Sequence, residues 1–316
     1  MAARPVVVHE VAGSAAVAAP PHGFGGAAPL AFRAMARDWR DLSVVSEGHE
    51  TREAHGGHAR PPMEDKVGGF EADFEGVRYT CLYVIDGHGG VETAQFVRDN
   101  FRRVFVSKLS SDRTTGGTIH ATFDEIEFEL RARRVPAGAV AAFVVLRVKP
   151  TGERKLFVAN VGDVEVVLHD GAARPVALLT TRHSLRNRDE LERVARLSGN
   201  LATLVDGNYM AVGGFRVANT RAFGDFQCLP MITAEPAMLA IDPAPARGAG
   251  SFLIIASDGV FDYLGPAEAV AAVHAHGLAG RSRVDAAQAL LLAAQPARGA
   301  GLEGRRDNAS AIVAFF

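Results

Sequence analysis

The chain has 316 residues, 48% of them hydrophobic and 22% charged, with a formal net charge of −2. That length leaves room for one large domain or two small ones with an ample core. The near-neutral charge offers no basic footprint for nucleic acid or an anionic membrane. Two cysteines, Cys81 and Cys228, argue against a disulfide framework and fit a reducing, cytoplasmic setting. No stretch approaches the roughly 18 uninterrupted apolar residues that a membrane span needs.

Residues 1–37 differ in kind from the rest. They are rich in Ala, Gly and Pro, carry Arg4, Arg33 and Arg37, and hold Glu10 as their one acid. Transit peptides are Arg-rich and acid-poor but also Ser-rich, and here Ser14 stands alone. The segment reads as a disordered lead-in of about 40 residues, with organelle targeting as the alternative. Residues 41–316 read as one domain.

Strand-like runs recur at 79–85, 140–148, 155–160, 164–169, 252–256 and 309–316. Lys149-Pro150-Thr151-Gly152 and Val161-Gly162-Asp163 are hairpin-length links, so these neighbours pair antiparallel. Helical periodicity covers 91–109 (Ala94, Val97, Phe101, Val104, Leu109) and 118–132 (Ile119, Phe123, Ile126, Leu130). A shorter helix spans 188–198 and closes at Gly199. A late helical cluster covers 266–295, with Pro266 in a first turn, Gly277 as a stop, and Val284, Ala287 and Leu291 as a second stripe. Two packed antiparallel sheets with helix pairs outside them would bury every stripe, giving a four-layer αββα, α+β fold.

Carboxylates fall where the strands end. The run CLYVIDGHGG (81–90) stops on Asp86-Gly87-His88, and LIIASDG (253–259) stops on Asp258. Asp163 sits in the turn after KLFVANV, Asp307 precedes the last strand, and RPPMED (60–65) ends on Glu64 and Asp65. Each alone is an ordinary turn residue. Brought together they would repel one another and raise each other's pKa, a conflict that hard divalent cations resolve; oxygen-only ligands suit Mg²⁺ or Mn²⁺ rather than zinc. The Gly87 carbonyl is a further candidate ligand.

In order, RPPMED, VIDGHGG, ANVGD, TRAFGD, ASDGVFD and RDNASAIVAFF resemble the motifs of the metal-dependent protein serine/threonine phosphatases of type 2C, over roughly residues 41–316. The resemblance implies a β-sandwich flanked by helix pairs and hydrolysis of phosphoserine and phosphothreonine esters by a metal-bridging hydroxide. By this resemblance Asp86 bridges two metals, with the Gly87 carbonyl on one of them. Asp258 and Asp307 match the other direct ligands, and Glu64 an acid acting through metal-bound water, with Asp65 behind it. Asp163, with Asp258 and Asp262, matches the ligands of a weaker third metal. Arg60 is similar to the arginine that clamps the substrate phosphate, and His88 to the general acid for the leaving alkoxide. The alternative for His88 is a histidine that only caps its turn.

The sequence departs from that family pattern in four places. Val164-Glu165 stand for Ser-Arg, a change expected to alter the surface. Arg182-His183 stand for Asp-His, where a salt bridge or hydrogen bond is expected to be lost at structural cost. Gly138-Ala139-Val140-Ala141 stand for Gly-Ser-Thr-Ala, and the segment after TRAFGD is short. His55 and His58 lack further zinc ligands and read as loop residues. His183 reads as a satisfied turn or core histidine, and Arg305-Arg306 as a surface pair. The resemblance implies phosphoprotein substrates for a monomer, with no nucleic-acid or membrane partner; a nuclear location stays open. A non-catalytic, phosphatase-like scaffold that binds phosphoproteins is the alternative function. A two-metal nuclease is disfavoured by the missing basic stripe.

Overall fold

The computed structural model describes residues 41–47, 51–52, 58–59, 63–171, 176–198, 205–206, 209–212, 215–243, 250–278, 283–294 and 307–316. Strand β1 (Asp41–Glu47) comes first, then a small ladder of β2 (Thr51–Arg52) with β3 (His58–Ala59). Next, β4 (Lys66–Phe74) and β5 (Val77–His88) form a long hairpin. Its tip, Glu75-Gly76, takes positive φ at both residues (51° and 78°), the twist that suits a two-residue antiparallel turn.

Helices α1 (Glu92–Lys108) and α2 (Thr115–Arg133) follow. Thr114 caps α2 by accepting from the Gly117 amide at 3.1 Å, and Arg134 ends it in the left-handed region. Strands β6 (Gly138–Val148), β7 (Arg154–Val161), β8 (Glu165–His169) and β9 (Ala177–Leu178) come next, then α3 (Arg188–Ser198). A small sheet of β10 (Val205–Asp206), β11 (Tyr209–Val212) and β12 (Phe215–Val217) precedes β13 (Phe223–Gly224) and β14 (Ala237–Ile241). The described chain closes with β15 (Phe252–Ala256), short α4 (Asp258–Phe261), α5 (Pro266–Leu278), α6 (Ala286–Ala293) and β16 (Ala309–Phe315).

The strands form two main antiparallel sheets. One runs β14-β7-β6-β5-β4, with β13 on β6; the other runs β1-β16-β15-β8-β9. Side-chain alternation divides each sheet between two cores. From β5, Leu82 and Val84 enter the seam between the sheets, where they meet Val158 of β7, Leu253 and Ile255 of β15, and Ile312 of β16. Cys81, Tyr83 and Ile85 face α1 and α2 instead. There Phe101 stacks on Phe143 at 3.8 Å, and both are fully buried; each such side chain is worth about 1.5–3 kcal/mol. On the other outer face, Phe252, Ile254 and Val313 pack against Val270, Val273, Leu290 and Leu291 of α5 and α6. The expected αββα, α+β architecture is therefore present.

Two local expectations change. Gly277 lies inside α5 rather than stopping it, and Val284 falls in a 3-10 turn (Arg283–Asp285) before α6. Strands β1 and β14 were not legible in the sequence. Arg60, His55, Gly199, Arg305, Arg306 and residues 1–40 lie outside the described residues.

Alternation also locates the site. Asp86 shares the parity of Leu82 and Val84, so it follows them into the seam at its end. Ser257 extends the Leu253–Ile255 row, and Ser310 lies two residues before Ile312. The polar ends of several strands thus meet at one end of the sandwich.

Candidate active site

The last residues of β5 are held on one side by β6, with Asp86 opposite Val140, Gly87 opposite Ala139 and His88 opposite Gly138. Gly138 is required there, because a Cβ would meet His88 Nε2 and the Asp225 carboxylate. On the other side lies the segment 63–65. Lys66 staples it, donating from Nζ to the carbonyls of Met63, Glu64 and Asp65 at 2.7, 3.0 and 3.1 Å. Glu64 accepts from the Gly90 amide at 2.8 Å, and its own carbonyl packs so close to Gly87 that a Cβ would come within 2.9 Å of it. A glycine is therefore needed after Asp86.

Asp65 is buried and accepts from Ser257 Oγ at 3.2 Å, while the Ser310 amide donates to that same Ser257 oxygen at 3.1 Å. This links the start of the first sheet to the ends of β15 and β16. Asp258 opens α4 directly after β15, and Asp307 directly precedes β16. Asp163 sits in the β7–β8 turn and accepts from Asn219 Nδ2 at 3.1 Å.

The electrostatics show which of these carboxylates share a site. Burial pushes Asp86 well above the usual carboxylate range, and the charges of Asp65, Asp258, Asp163 and Asp307 push it further. Asp258 is raised to about 8 by burial and then by Asp163, Asp307, Asp262 and Asp65. Burial raises Asp65 to about 6, with Asp307 adding to it. Asp163 is also raised by burial, although Arg182 acts in the opposite direction. The Oδ1 atom of Asp258 is buried without a hydrogen-bond partner. Among the described residues, no group of three or more His, Cys, Asp or Glu side chains is arranged to hold a metal ion as it stands.

His88 stands at the rim with its side chain 40% exposed. Its Nε2 lies 2.7 Å from Asp225 Oδ2. Burial works against the imidazolium, but the hydrogen bond and charge of Asp225 outweigh it and raise the pKa above its ordinary value. Behind this pair, Glu127 of α2 accepts from the Gly224 amide at 3.0 Å and is raised by burial to about 7.

Asp225 is the site residue that sequence reasoning missed. The signal was the last letter of TRAFGD, a motif recognised as a whole but not assigned residue by residue. The front of that motif anchors it. Glu190 of α3 accepts from Thr220 Oγ1 at 2.7 Å, from Arg221 at 2.6 and 2.9 Å, and from Arg193 at 2.9 Å. The Arg182-His183 segment is likewise zipped to the β7–β8 turn. The His183 amide donates to the Gly162 carbonyl at 3.0 Å, and the Gly162 amide donates to His183 Nδ1 at 3.1 Å. His183 is buried, and burial lowers its pKa to about 4, so it serves as a neutral structural acceptor.

Two expectations at the departures from the family pattern are corrected. Glu165 is not a surface change: it is buried and accepts from Arg182 Nε at 2.5 Å. The bridge expected to be lost at Arg182 is thus present. Where the family pattern carries Arg at one position and Asp at the other, this chain carries Glu165 and Arg182, so the pair survives with its charges exchanged.

The fold and the site together define an α+β sandwich with a buried acidic centre where its strands end. The family model described as "Protein phosphatase 2C" matches residues 58–300, and the chain belongs to that family. It is 33% identical over 219 residues to "Probable protein phosphatase 2C 11" of Arabidopsis thaliana, which covers 68% of this chain and 55% of that protein. It is 28% identical over 226 residues to "Protein phosphatase 2C homolog 1" of Schizosaccharomyces pombe, covering 66% and 61%. Across these relatives the chain spans a little over half of their length. Two solved structures share the fold: a C. elegans sex determining protein (TM-score 0.65, 18% identity, 87% of this chain and 64% of that one) and a serine-threonine phosphatase 2C from Toxoplasma gondii (TM-score 0.60, 17% identity, 86% and 99%).

Proposed function

We propose that the chain is a Mg²⁺- or Mn²⁺-dependent protein serine/threonine phosphatase that transfers the phosphoryl group of phosphoserine and phosphothreonine directly to water. The observation that carries this reading is the acidic centre itself. Asp86, Asp258 and Asp65 come from distant parts of the chain, burial raises the pKa of each, and neighbouring carboxylates raise it further. A fold does not gather unpaired carboxylates for stability.

The residues present fit hard divalent cations in chemistry: the donors are all oxygen, and the Asp258 Oδ1 atom is buried without a partner. Asp86, the Gly87 carbonyl, Asp258 and Asp307 would hold the cations, with Glu64 acting through water; bound there, cations would offset the charge of a phosphate dianion and make a water acidic near neutral pH. The chain's own groups do the rest. His88, at the rim, gives a proton to the departing serine or threonine oxygen, which is otherwise a poor leaving group. Asp225 holds the His88 ring for that transfer. Arg60, which lies outside the described residues, is assigned by resemblance to grip two phosphate oxygens as a fork. Neither cysteine is a nucleophile: both are buried, and burial raises the Cys228 thiol to about 11 and the Cys81 thiol well above its ordinary value.

Phosphoproteins are the proposed substrates, for a monomer of the cytoplasm. The test is phosphate release from a phosphoserine peptide and from p-nitrophenyl phosphate, with Mn²⁺ and with chelator. Release from both that requires Mn²⁺ supports the proposal. No release from either at any Mn²⁺ concentration, by folded protein, contradicts it and favours the scaffold reading.

A further inference from the structure

Two residues of the site neighbourhood, Glu165 and Arg182, carry charges opposite to the family resemblance, and of the two it is Arg182 that also faces an outer acid. Its guanidinium reaches in two directions. Nε donates to the buried Glu165 carboxylate at 2.5 Å, and Nη2 donates to Asp262 Oδ1 at 3.3 Å. The Glu165 contact is the anchor, because its carboxylate is buried whereas that of Asp262 is exposed. The backbone is fixed as well: Asn187 Nδ2 donates to the Arg182 carbonyl at 3.2 Å, and His183 is bonded to Gly162, next to Asp163.

The guanidinium therefore stands among Glu165, Asp262 and Asp163. Its bonds to Glu165 on β8 and to Asp262 set its charge beside the β7–β8 turn that carries Asp163. Asp163, Asp258 and Asp262 are the residues to which the resemblance gave a weaker third cation. A fixed positive charge hydrogen-bonded to one of those ligands, and acting on a second, would repel a divalent ion and compete for its oxygens. The outer ligand set does not fit a third metal here, whereas the inner set around Asp86 keeps its uncompensated acids.

We propose that Arg182 takes the place of the third cation, so that the outer carboxylates Asp163 and Asp262 are served by an internal guanidinium and the chain takes up divalent ions only around Asp86. The inference rests on the reading of this acidic centre as a cation site. The exchanged Glu165–Arg182 pair is what makes it structurally feasible: an arginine at 182 needs an acid at 165, and the same exchange that keeps the bridge turns a positive group toward Asp262.

The experiment counts Mn²⁺ bound per chain by equilibrium dialysis and elemental analysis, without substrate. It compares wild type, Arg182→Gln and the double variant Arg182→Gln/Glu165→Gln. The double variant removes both charges of the pair, so it leaves no buried acid unpaired and guards against misfolding. At millimolar Mn²⁺ each variant should bind one ion more than wild type, with affinity for that extra ion at least roughly tenfold above any wild-type binding there. Adding Asp262→Asn to the double variant should remove the extra ion. The proposal is overturned if the double variant binds no more Mn²⁺ than wild type. It is equally overturned if wild type already holds an ion that Asp262→Asn removes. Failure of the phosphatase reading would appear as absent turnover, and it would leave these differences in ion count standing.

Discussion

Glu190 and Asp258 are carboxylates of the same domain that lie at opposite ends of the titration scale. Burial alone would raise Glu190, but bonds from Arg221, Arg193 and Thr220 outweigh it and bring the pKa to about 2. Asp258 is surrounded by Asp163, Asp307, Asp262 and Asp65 instead, and is raised to about 8. The first acid is fully satisfied and ties α3 to the segment that delivers Asp225. The second is left in need of positive charge. The fold keeps one acidic centre in electrostatic debt and surrounds it with acids and bases that are paired off, which separates the site from its scaffold more clearly than burial does.

The sharpest way to break this comparison is to neutralise each side. Asp258→Asn, and likewise Asp86→Asn, should lower Mn²⁺-dependent turnover by more than about a hundredfold, since several kcal/mol of charge stabilisation would go with the ligand. Melting of either variant in chelator should be no lower than that of wild type, because repulsion is relieved. A variant that melts well below wild type in chelator would show that the acid is structural.

Glu190→Gln should do the reverse. It leaves Arg193 and Arg221 without their buried counter-charge, and the expected loss is about 3 kcal/mol of stability, read by denaturant unfolding. The sign in pH follows from the lowered pKa. The Glu190 contribution is fully present above the ordinary glutamate value of 4.5 and is lost as pH falls toward about 2. Wild type should therefore lose stability over that window more steeply than Glu190→Gln, and equal slopes would refute the pairing.

At the rim the expected effects are kinetic. His88→Gln should slow a phosphoserine peptide on the order of a hundredfold while sparing an aryl phosphate, whose phenolate leaves without a proton. Asp225→Asn should show the same preference at about a tenth of the size, since it holds the ring rather than giving the proton. Equal slowing of both substrates would return His88 to the status of a turn residue. The smallest effect belongs to the Arg103–Glu129 pair, at 2.7 Å between α1 and α2 with Arg103 largely exposed. Arg103→Ala should change stability by less than about 1 kcal/mol and leave turnover unchanged.

What the sequence disclosed follows from how local each signal is. Asp86 and Asp258 could be read because an apolar run that stops on Asp-Gly announces a strand end within a few residues. The αββα layering could be read because stripes such as Ile119, Phe123, Ile126 and Leu130 carry their own period. The pairs that complete the site could not be read. His88 and Asp225 are 137 residues apart, and Arg182 meets Asp262 across 80. Only the packed sheets bring them together. The charge exchange at Glu165 and Arg182 looked like two separate losses until the β7–β8 turn placed them side by side. Strand β14 escaped because Met238, Leu239 and Ala240 are exposed on a sheet edge, so no alternation marks it.

The central claim is that the acidic centre is held for cations rather than for the fold, and thermal melting against Mn²⁺ tests it most directly. A ligand that binds only the folded state raises the melting temperature with its concentration. We predict that the melting temperature of wild type climbs steadily as Mn²⁺ is added, and that Asp86→Asn and Asp258→Asn, folded and at least as stable in chelator, lose most of that climb. A wild type whose melting ignores Mn²⁺, or variants that gain as much from it as wild type does, would contradict the account.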